Sequence, residues 1–181
     1  MARGPVFGCS IDAVARCADV VKSGGVVVFP TDTIYGIGCD PYNDNAVRRI
    51  FAIKGRDEQK PLPVLVYNVS QAEKIASLGR SGRFLAERYW PGALTIVAPV
   101  IDRKISQAVT AGLNTLAVRM PSNNCILSLL NHCGFLVGTS ANLSGQKPPP
   151  PGGLERPGKA SCADDQTCAG MVRKIAAHDR L

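Results

Sequence analysis

The run Val26-Val27-Val28-Phe29, set between Gly24-Gly25 and Pro30, constrains the fold more than any other stretch. Four apolar, mostly β-branched residues bounded by glycine and proline read as a short buried strand. Ahead of it Val14, Cys17, Ala18 and Val21 recur at helical spacing behind Ser10, which can cap, so a helix closes at Gly24 or Gly25 and hands the chain to that strand. The exchange repeats downstream. Residues 45–53, with Val47, Ile50, Phe51 and Ile53 on one face and Asp44 or Asn45 as cap, predict a helix ending near Gly55. Residues 63–67 predict a strand. Ser70-x-x-Glu73 reads as a capping box opening a helix that stops at Gly79. Residues 81–89 predict another helix with Phe84, Leu85 and Arg88 in its pattern, broken by Trp90-Pro91-Gly92, where Trp90 is a packing anchor. Residues 94–99 and 115–120 predict strands. Ser122 or Asn123 can cap a helix through Leu130, and residues 135–137 form one more strand. Helices and strands interleave throughout, which specifies an α/β domain.

With 181 residues and 45% apolar side chains the chain can bury one sizeable core. Composition changes after Gly145, where Lys147-Pro148-Pro149-Pro150-Pro151-Gly152-Gly153 can support neither helix nor ladder. The division expected is therefore an α/β domain over 1–147 and a Pro/Gly-rich segment over 148–181, with a last helix at 169–177. Twenty-one Lys and Arg against 14 Asp and Glu give a formal charge of +7, which favours anionic partners such as nucleotides or RNA. Seven cysteines without a C-x-x-C pair, with His132 and His178 isolated, complete no zinc ligand set. They read as reduced, mostly buried thiols, and the expected compartment is the cytoplasm. Residues 1–10 carry no hydrophobic signal region and no spanning segment, so neither secretion nor membrane insertion is expected.

Chemistry concentrates in four places. Lys54-Gly55-Arg56-Asp57-Glu58-Gln59-Lys60-Pro61-Leu62 puts three cations within seven positions. One such cation would serve to complement a helix dipole, but three repel one another unless something strongly anionic sits among them, and a triphosphate would suit. Pro30-Thr31-Asp32-Thr33-Ile34-Tyr35-Gly36-Ile37-Gly38 mixes hydroxyls, a carboxylate and glycines directly after a core strand, where scaffolds commonly present binding residues. The plainer role for Asp32 and the threonines is a turn that bonds its own backbone. Thr115 with Arg119, and Ser140 with Asn142, complete the set. No Walker loop, no Gly-x-Gly-x-x-Gly fingerprint and no nucleophile motif beside either histidine is present. The four clusters fall at strand ends or helix edges and fit one anion-binding concavity.

These motifs, Pro30 to Gly36, Lys54-x-Arg56 with Lys60-Pro61-Leu62, Trp90-Pro91-Gly92 with Leu94-Thr95, Val118-Arg119-Met120-Pro121 and Thr139-Ser140-Ala141-Asn142-Leu143-Ser144-Gly145, occur in the order seen in YrdC-like threonylcarbamoyl-AMP synthases, and from about Ser10 to Gln146 the chain resembles that family. The resemblance implies a twisted, open, mixed α/β sheet with flanking helices and a basic concave face. It implies a nucleotidyltransferase that joins L-threonine, bicarbonate and ATP into threonylcarbamoyl-adenylate and pyrophosphate, with Mg²⁺ accompanying the ATP. A tRNA-modifying transferase complex then passes the group to adenosine 37 of tRNA. It also implies roles for single residues. Lys54 and Arg56 would be catalytic and, with Lys60, Thr115, Ser140 and Asn142, bind ATP, while Thr33 and Arg119 would hold threonine. Arg suits the carboxylate through its planar fork and Lys suits phosphate as a mobile point charge.

Two departures are visible. Val64-Leu65-Val66 stands where many relatives carry a histidine, and residues 148–181 do not match the family's basic, Arg-x-Gly ending. Two alternatives accompany this reading. One is a YrdC-like module holding double-stranded RNA or tRNA without turnover through Lys54, Arg56, Lys60, Arg80, Arg83 and Arg88. The other is adenylation of a different carbamate.

Overall fold

The structure is a computed structural model, and it describes residues 8–145. The expected boundary at 147/148, the helix at 169–177, His178 and the two cysteines Cys162 and Cys168 lie outside the described residues.

The chain opens with helix α1 (Ile11–Lys22), capped by the Ser10 side chain, which accepts from the Ala13 amide. Strand β1 (Val27–Phe29) follows and folds back on β2 (Gly36–Gly38), so the threonine-containing loop is the connection of an antiparallel hairpin. The second strand was not expected from the sequence, where residues 30–38 read as one binding loop. Its two glycines are there for packing. A Cβ on Gly38 would meet the Val137 carbonyl oxygen at 2.0 Å, and one on Gly36 would meet the Phe29 ring at 2.5 Å. Helix α2 (Asp44–Lys54) comes next, capped by Asn43 rather than by Asp44 or Asn45. Asp44 instead accepts from the Ser106 hydroxyl at 2.6 Å and from Arg48 at 2.7 Å.

After β3 (Val64–Val66), helix α3 (Val69–Ile75) is capped by Asn68. The Ser70-x-x-Glu73 capping box therefore does not form: Ser70 already lies inside the helix, because the chain turns two residues earlier. Gly79 starts helix α4 (Gly79–Tyr89) instead of stopping α3. Its buried residues are Gly82 and Ala86, while Phe84 is 63% exposed. The apolar pattern expected through Phe84 and Leu85 is thus on the outer side, since close approach favours the small residues. Trp90 anchors the next corner as expected, buried to 8% exposure with its indole N–H on the Leu94 carbonyl at 2.7 Å. Strand β4 (Ile96–Pro99), a one-turn helix α5 (Gln107–Thr110) that the sequence pattern did not show, β5 (Thr115–Arg119), helix α6 (Asn124–Cys133) capped by Asn123, β6 (Phe135–Val137) and β7 (Thr139–Ser140) complete the order.

The strands form two sheets rather than one. A mixed four-stranded sheet has the order β4-β5-β3-β6, with β3 and β5 parallel and its other pairs antiparallel. A small antiparallel sheet has the order β1-β2-β7. The sheets meet where Val137 donates to the Cys39 carbonyl at 2.9 Å, and the chain crosses between them at Gly138, where any Cβ would strike Leu65. One buried cluster packs α2, α3 and α5 against the mixed sheet through Val47, Ile50, Leu62, Val64, Leu116 and Val118, and a second packs α1 against α6 over Phe29, Leu65 and Leu136.

The expectation that all thiols are reduced is corrected. Cys9 and Cys125, at the starts of α1 and α6, are joined in a disulfide with Cα atoms 5.9 Å apart, while Cys17, Cys39 and Cys133 are free. Sequence spacing gave no sign of it because the two residues are 116 positions apart and become neighbours only when the helices pack. Among the described residues no helix is long and apolar enough to cross a membrane.

Candidate functional site

Lys54 ends α2. Its successor Gly55 takes the left-handed conformation (φ 58°), which any other residue would adopt only with strain, and its amide closes the helix. That ending turns the Lys54 side chain inward. It is 2% exposed and donates to the backbone carbonyls of Ser140 and of Asn142, the latter at 2.6 Å. The main chain repeats the link, since the Ser144 amide donates to the Lys54 carbonyl at 2.9 Å. Burial, reinforced by the nearby Arg56 charge, brings the Lys54 ammonium down to about 8. The cationic crowding expected from the sequence is thus real between Lys54 and Arg56, and it is resolved by separation: Lys54 points into the protein, while the Arg56 guanidinium lies over its own turn, donating to the Pro61 carbonyl at 3.2 Å and the Lys60 carbonyl at 3.4 Å. Burial also lowers Arg56 from the ordinary guanidinium range. Lys60 is exposed.

Ser140 and Asn142 reach this position because the chain changes sheets at Gly138. Ser140 then pairs with Gly36 on β2, and the Ala141 amide donates to the Tyr35 carbonyl at 2.8 Å. Asn142 is buried, with its side-chain amide on the Leu143 carbonyl at 3.1 Å. The Lys54–Ser140–Asn142 cluster therefore sits against the end of the loop that began at Pro30.

At the other end of that loop is Asp32. Its carboxylate accepts from Arg119 Nη2 with both oxygens at 2.8 Å and from the Ser122 amide at 3.2 Å. Arg119 Nε donates to the Gly92 carbonyl at 3.0 Å, so the guanidinium gathers the loop after β1, the turn after Trp90-Pro91 and the turn after β5. Both side chains are largely covered, with 16% exposure for Arg119 and 15% for Asp32. Within the loop the Thr31 hydroxyl accepts from the amides of Thr33 and Ile34, each at 3.1 Å, and the two threonine hydroxyls lie 3.1 Å apart. The plain reading of a turn that bonds its own backbone holds for Thr31, and it does not hold for Asp32.

The structure thus brings Lys54, Ser140 and Asn142 into contact, and Thr33 and Arg119 to one loop. From Asp32 to Tyr35 is three residues, at most roughly 10 Å of chain, so the two groups border one region. Thr115 lies at the opposite end of β5, paired with Pro99, roughly 13 Å along the strand from Arg119, and no described contact joins it to the others. Sequence reasoning placed Asp32 in the hydroxyl-rich loop but did not assign it the pairing with Arg119. Its signal was available, a lone carboxylate in a hydroxyl-rich loop of a chain that also offers an arginine at a strand end.

The chain matches the model of the Sua5/YciO/YrdC family, described as telomere recombination, over residues 19–152, and it belongs to that family. It is 40% identical over 138 residues to the threonylcarbamoyl-AMP synthase of Bacillus subtilis (strain 168), covering 75% of this chain and 40% of that protein. The threonylcarbamoyl-AMP synthase of Thiobacillus denitrificans is 37% identical over 130 residues, with 71% of this chain and 69% of that protein covered. Among solved structures, P. abyssi Sua5 complexed with L-threonine matches with a TM-score of 0.72 and 37% identity, over 75% of this chain and 40% of that one. The chain accordingly spans about two fifths of the length of the Bacillus subtilis and P. abyssi proteins.

Proposed function

We propose that this chain is the synthase domain of a threonylcarbamoyl-AMP synthase, joining L-threonine, bicarbonate and ATP. The observation that carries this reading is the pairing of two groups at the ends of one loop, the Lys54 ammonium with the Ser140–Ser144 segment at Tyr35, and the Arg119 fork at Asp32. The first is the place for the nucleotide. An ammonium has three donors and two of Lys54's are given to carbonyls, which leaves one for a phosphate oxygen, with Arg56 and Lys60 at the mouth. The second is the place for the amino acid, with its carboxylate on Arg119 and Thr33 alongside. Thr115 stands too far along β5 to touch both substrates, so we assign it at most an outer nucleotide contact.

The reaction needs no protein nucleophile. Threonine's amine captures carbon dioxide derived from bicarbonate, a carbamate oxygen attacks the α-phosphorus of ATP, and pyrophosphate leaves. What the residues supply is alignment and the stabilisation of negative charge. Among the described residues no three His, Cys, Asp or Glu side chains converge, so Mg²⁺ would come with the nucleotide, held by phosphate oxygens and water. When bound it would neutralise charge on the leaving pyrophosphate. The product would pass to a tRNA-modifying complex that acts at adenosine 37, and the protein would work in the cytoplasm.

The decisive experiment is pyrophosphate release from ATP in bicarbonate and Mg²⁺. Release that requires threonine, and is lost in Lys54→Ala, supports the proposal. Release that ignores threonine returns the protein to the carbamate alternative. The RNA-binding alternative is weakened by the pairing of Arg83 with Glu73 at 2.5 Å, which occupies one of its six phosphate contacts.

A further inference from the structure

The Asp32–Arg119 pair is more than a tie between loops, because each partner keeps unused bonding capacity. Arg119 commits Nε to the Gly92 carbonyl and Nη2 to Asp32, and among the described residues Nη1 donates to nothing. On Asp32, Oδ1 accepts from both Arg119 Nη2 and the Ser122 amide, whereas Oδ2 accepts only from Arg119. A carboxylate oxygen has two lone pairs, so Oδ2 can take another donor. The pair therefore offers an open donor edge and an open acceptor on two joined, largely covered groups of opposite charge. A ligand that complements both carries an anion and a cation on adjacent atoms. That is the zwitterionic end of an α-amino acid.

We propose that Asp32 is a substrate-recognition residue: Arg119 Nη1 takes the α-carboxylate of the incoming amino acid while Asp32 Oδ2 accepts from its α-ammonium. The inference rests on the reading of Arg119 as the threonine-carboxylate residue and deepens it by assigning the amine end. The arrangement has two physical consequences. Asp32 holds the guanidinium in one orientation before the ligand arrives, so little is lost in ordering it. It also keeps Arg119 neutralised, which disfavours simple anions that bring no ammonium to offset a second negative charge beside Asp32. Specificity for an amino acid over a hydroxy acid of the same shape follows, since a neutral hydroxyl donates to Oδ2 without the charge assistance of an ammonium and brings no positive charge to offset Asp32.

The experiment is calorimetric binding of L-threonine and of its deaminated counterpart, 2,3-dihydroxybutanoate, to the full chain and to Asp32→Asn. The wild-type protein is expected to prefer threonine by about tenfold to a hundredfold, the range for a lost charge-assisted hydrogen bond. Asp32→Asn is expected to lose that preference, with affinity for threonine falling and affinity for the anionic hydroxy acid held or raised. Equal weakening of both ligands in Asp32→Asn would overturn the proposal and leave Asp32 as a holder of Arg119 alone. Equal affinity of the wild-type protein for both ligands would overturn it without reference to any variant. If wild type binds ATP but neither small ligand, the assignment of the amino-acid site itself fails, and this inference with it.

Discussion

Lys54 donates its side-chain ammonium to the backbone carbonyl of Asn142, 88 residues further along the chain, at 2.6 Å. A cation that the sequence offers as a phosphate ligand is therefore also the clasp that holds the Ser140–Asn142 segment in place. On the proposed reading positioning and binding are joined in one group, and that joint role has consequences that can be measured.

Replacing Lys54 with Met keeps much of the aliphatic stem and removes the donor. The carbonyls of Ser140 and Asn142 then lose their partner in a site almost without solvent, which is expected to cost about 2–4 kcal/mol of folding stability. Urea denaturation of Lys54→Met against wild type checks this. A change within experimental error would mean the carbonyls find other partners.

The lowered ammonium carries a pH signature. Between about 8, its value in the folded protein, and the ordinary 10.5, the folded state has released a proton that the unfolded chain still holds. Stability is therefore expected to rise with pH across that window relative to a Lys54→Met variant, and to show no such difference below it. Paired denaturation curves from pH 7 to 10 test the sign. If the Lys54 charge also contacts phosphate, ATP affinity falls over the lower part of the same window.

Arg56 has a different balance. Its bonds are to carbonyls of its own exposed turn, where a lost hydrogen bond is replaced by water, so Arg56→Ala is expected to cost under about 1 kcal/mol of stability. If the guanidinium meets the triphosphate, the same change weakens ATP binding about tenfold or more. Thermal melting and nucleotide titration of the one variant separate the two effects, and the opposite order would return Arg56 to a structural role.

The Cys9–Cys125 disulfide closes a loop of 116 residues, and cross-links that close long loops remove the most entropy from the unfolded chain. Cys9→Ser, or reduction of the wild-type protein, is expected to lower stability by about 2–5 kcal/mol. Because the bridge joins α1 to α6 and no described contact links it to Lys54 or Arg56, nucleotide affinity of the folded protein should stay unchanged.

The order of elements was legible because every described helix but α5, and most strands, announce themselves locally. Ser10 and Asn123 cap where capping chemistry says they can, and the run at Val27–Phe29 is a strand. The failures share a physical cause. Asn43 and Asn68 cap α2 and α3 in preference to equally capable neighbours, since the direction from which the chain enters decides which oxygen faces the free amides. Strands β2 and β7 are three and two residues long and exist through pairing, β2 with β1 and β7 with β2, which no local pattern encodes. The same holds at the site. Lys54, Arg56, Ser140 and Asn142 stand out in the sequence as polar clusters at strand ends and helix edges, and likeness to a family supplies their roles, but spacing alone could not show that Lys54 faces inward. The Asp32–Arg119 pair spans 87 residues and was visible only once the hairpin and β5 were in place.

The central claim is that one region, bordered by Lys54 at one end of the 30–35 loop and Arg119 at the other, holds nucleotide and amino acid side by side. A crystal structure of the chain with L-threonine and a non-hydrolysable ATP analogue tests this directly. The account predicts phosphate oxygens beside Lys54, Arg56 and the Ser140–Asn142 segment, with the threonine carboxylate on Arg119 and its amino group facing Asp32. Nucleotide and threonine bound on separate faces, or phosphate bound away from Lys54, would contradict it.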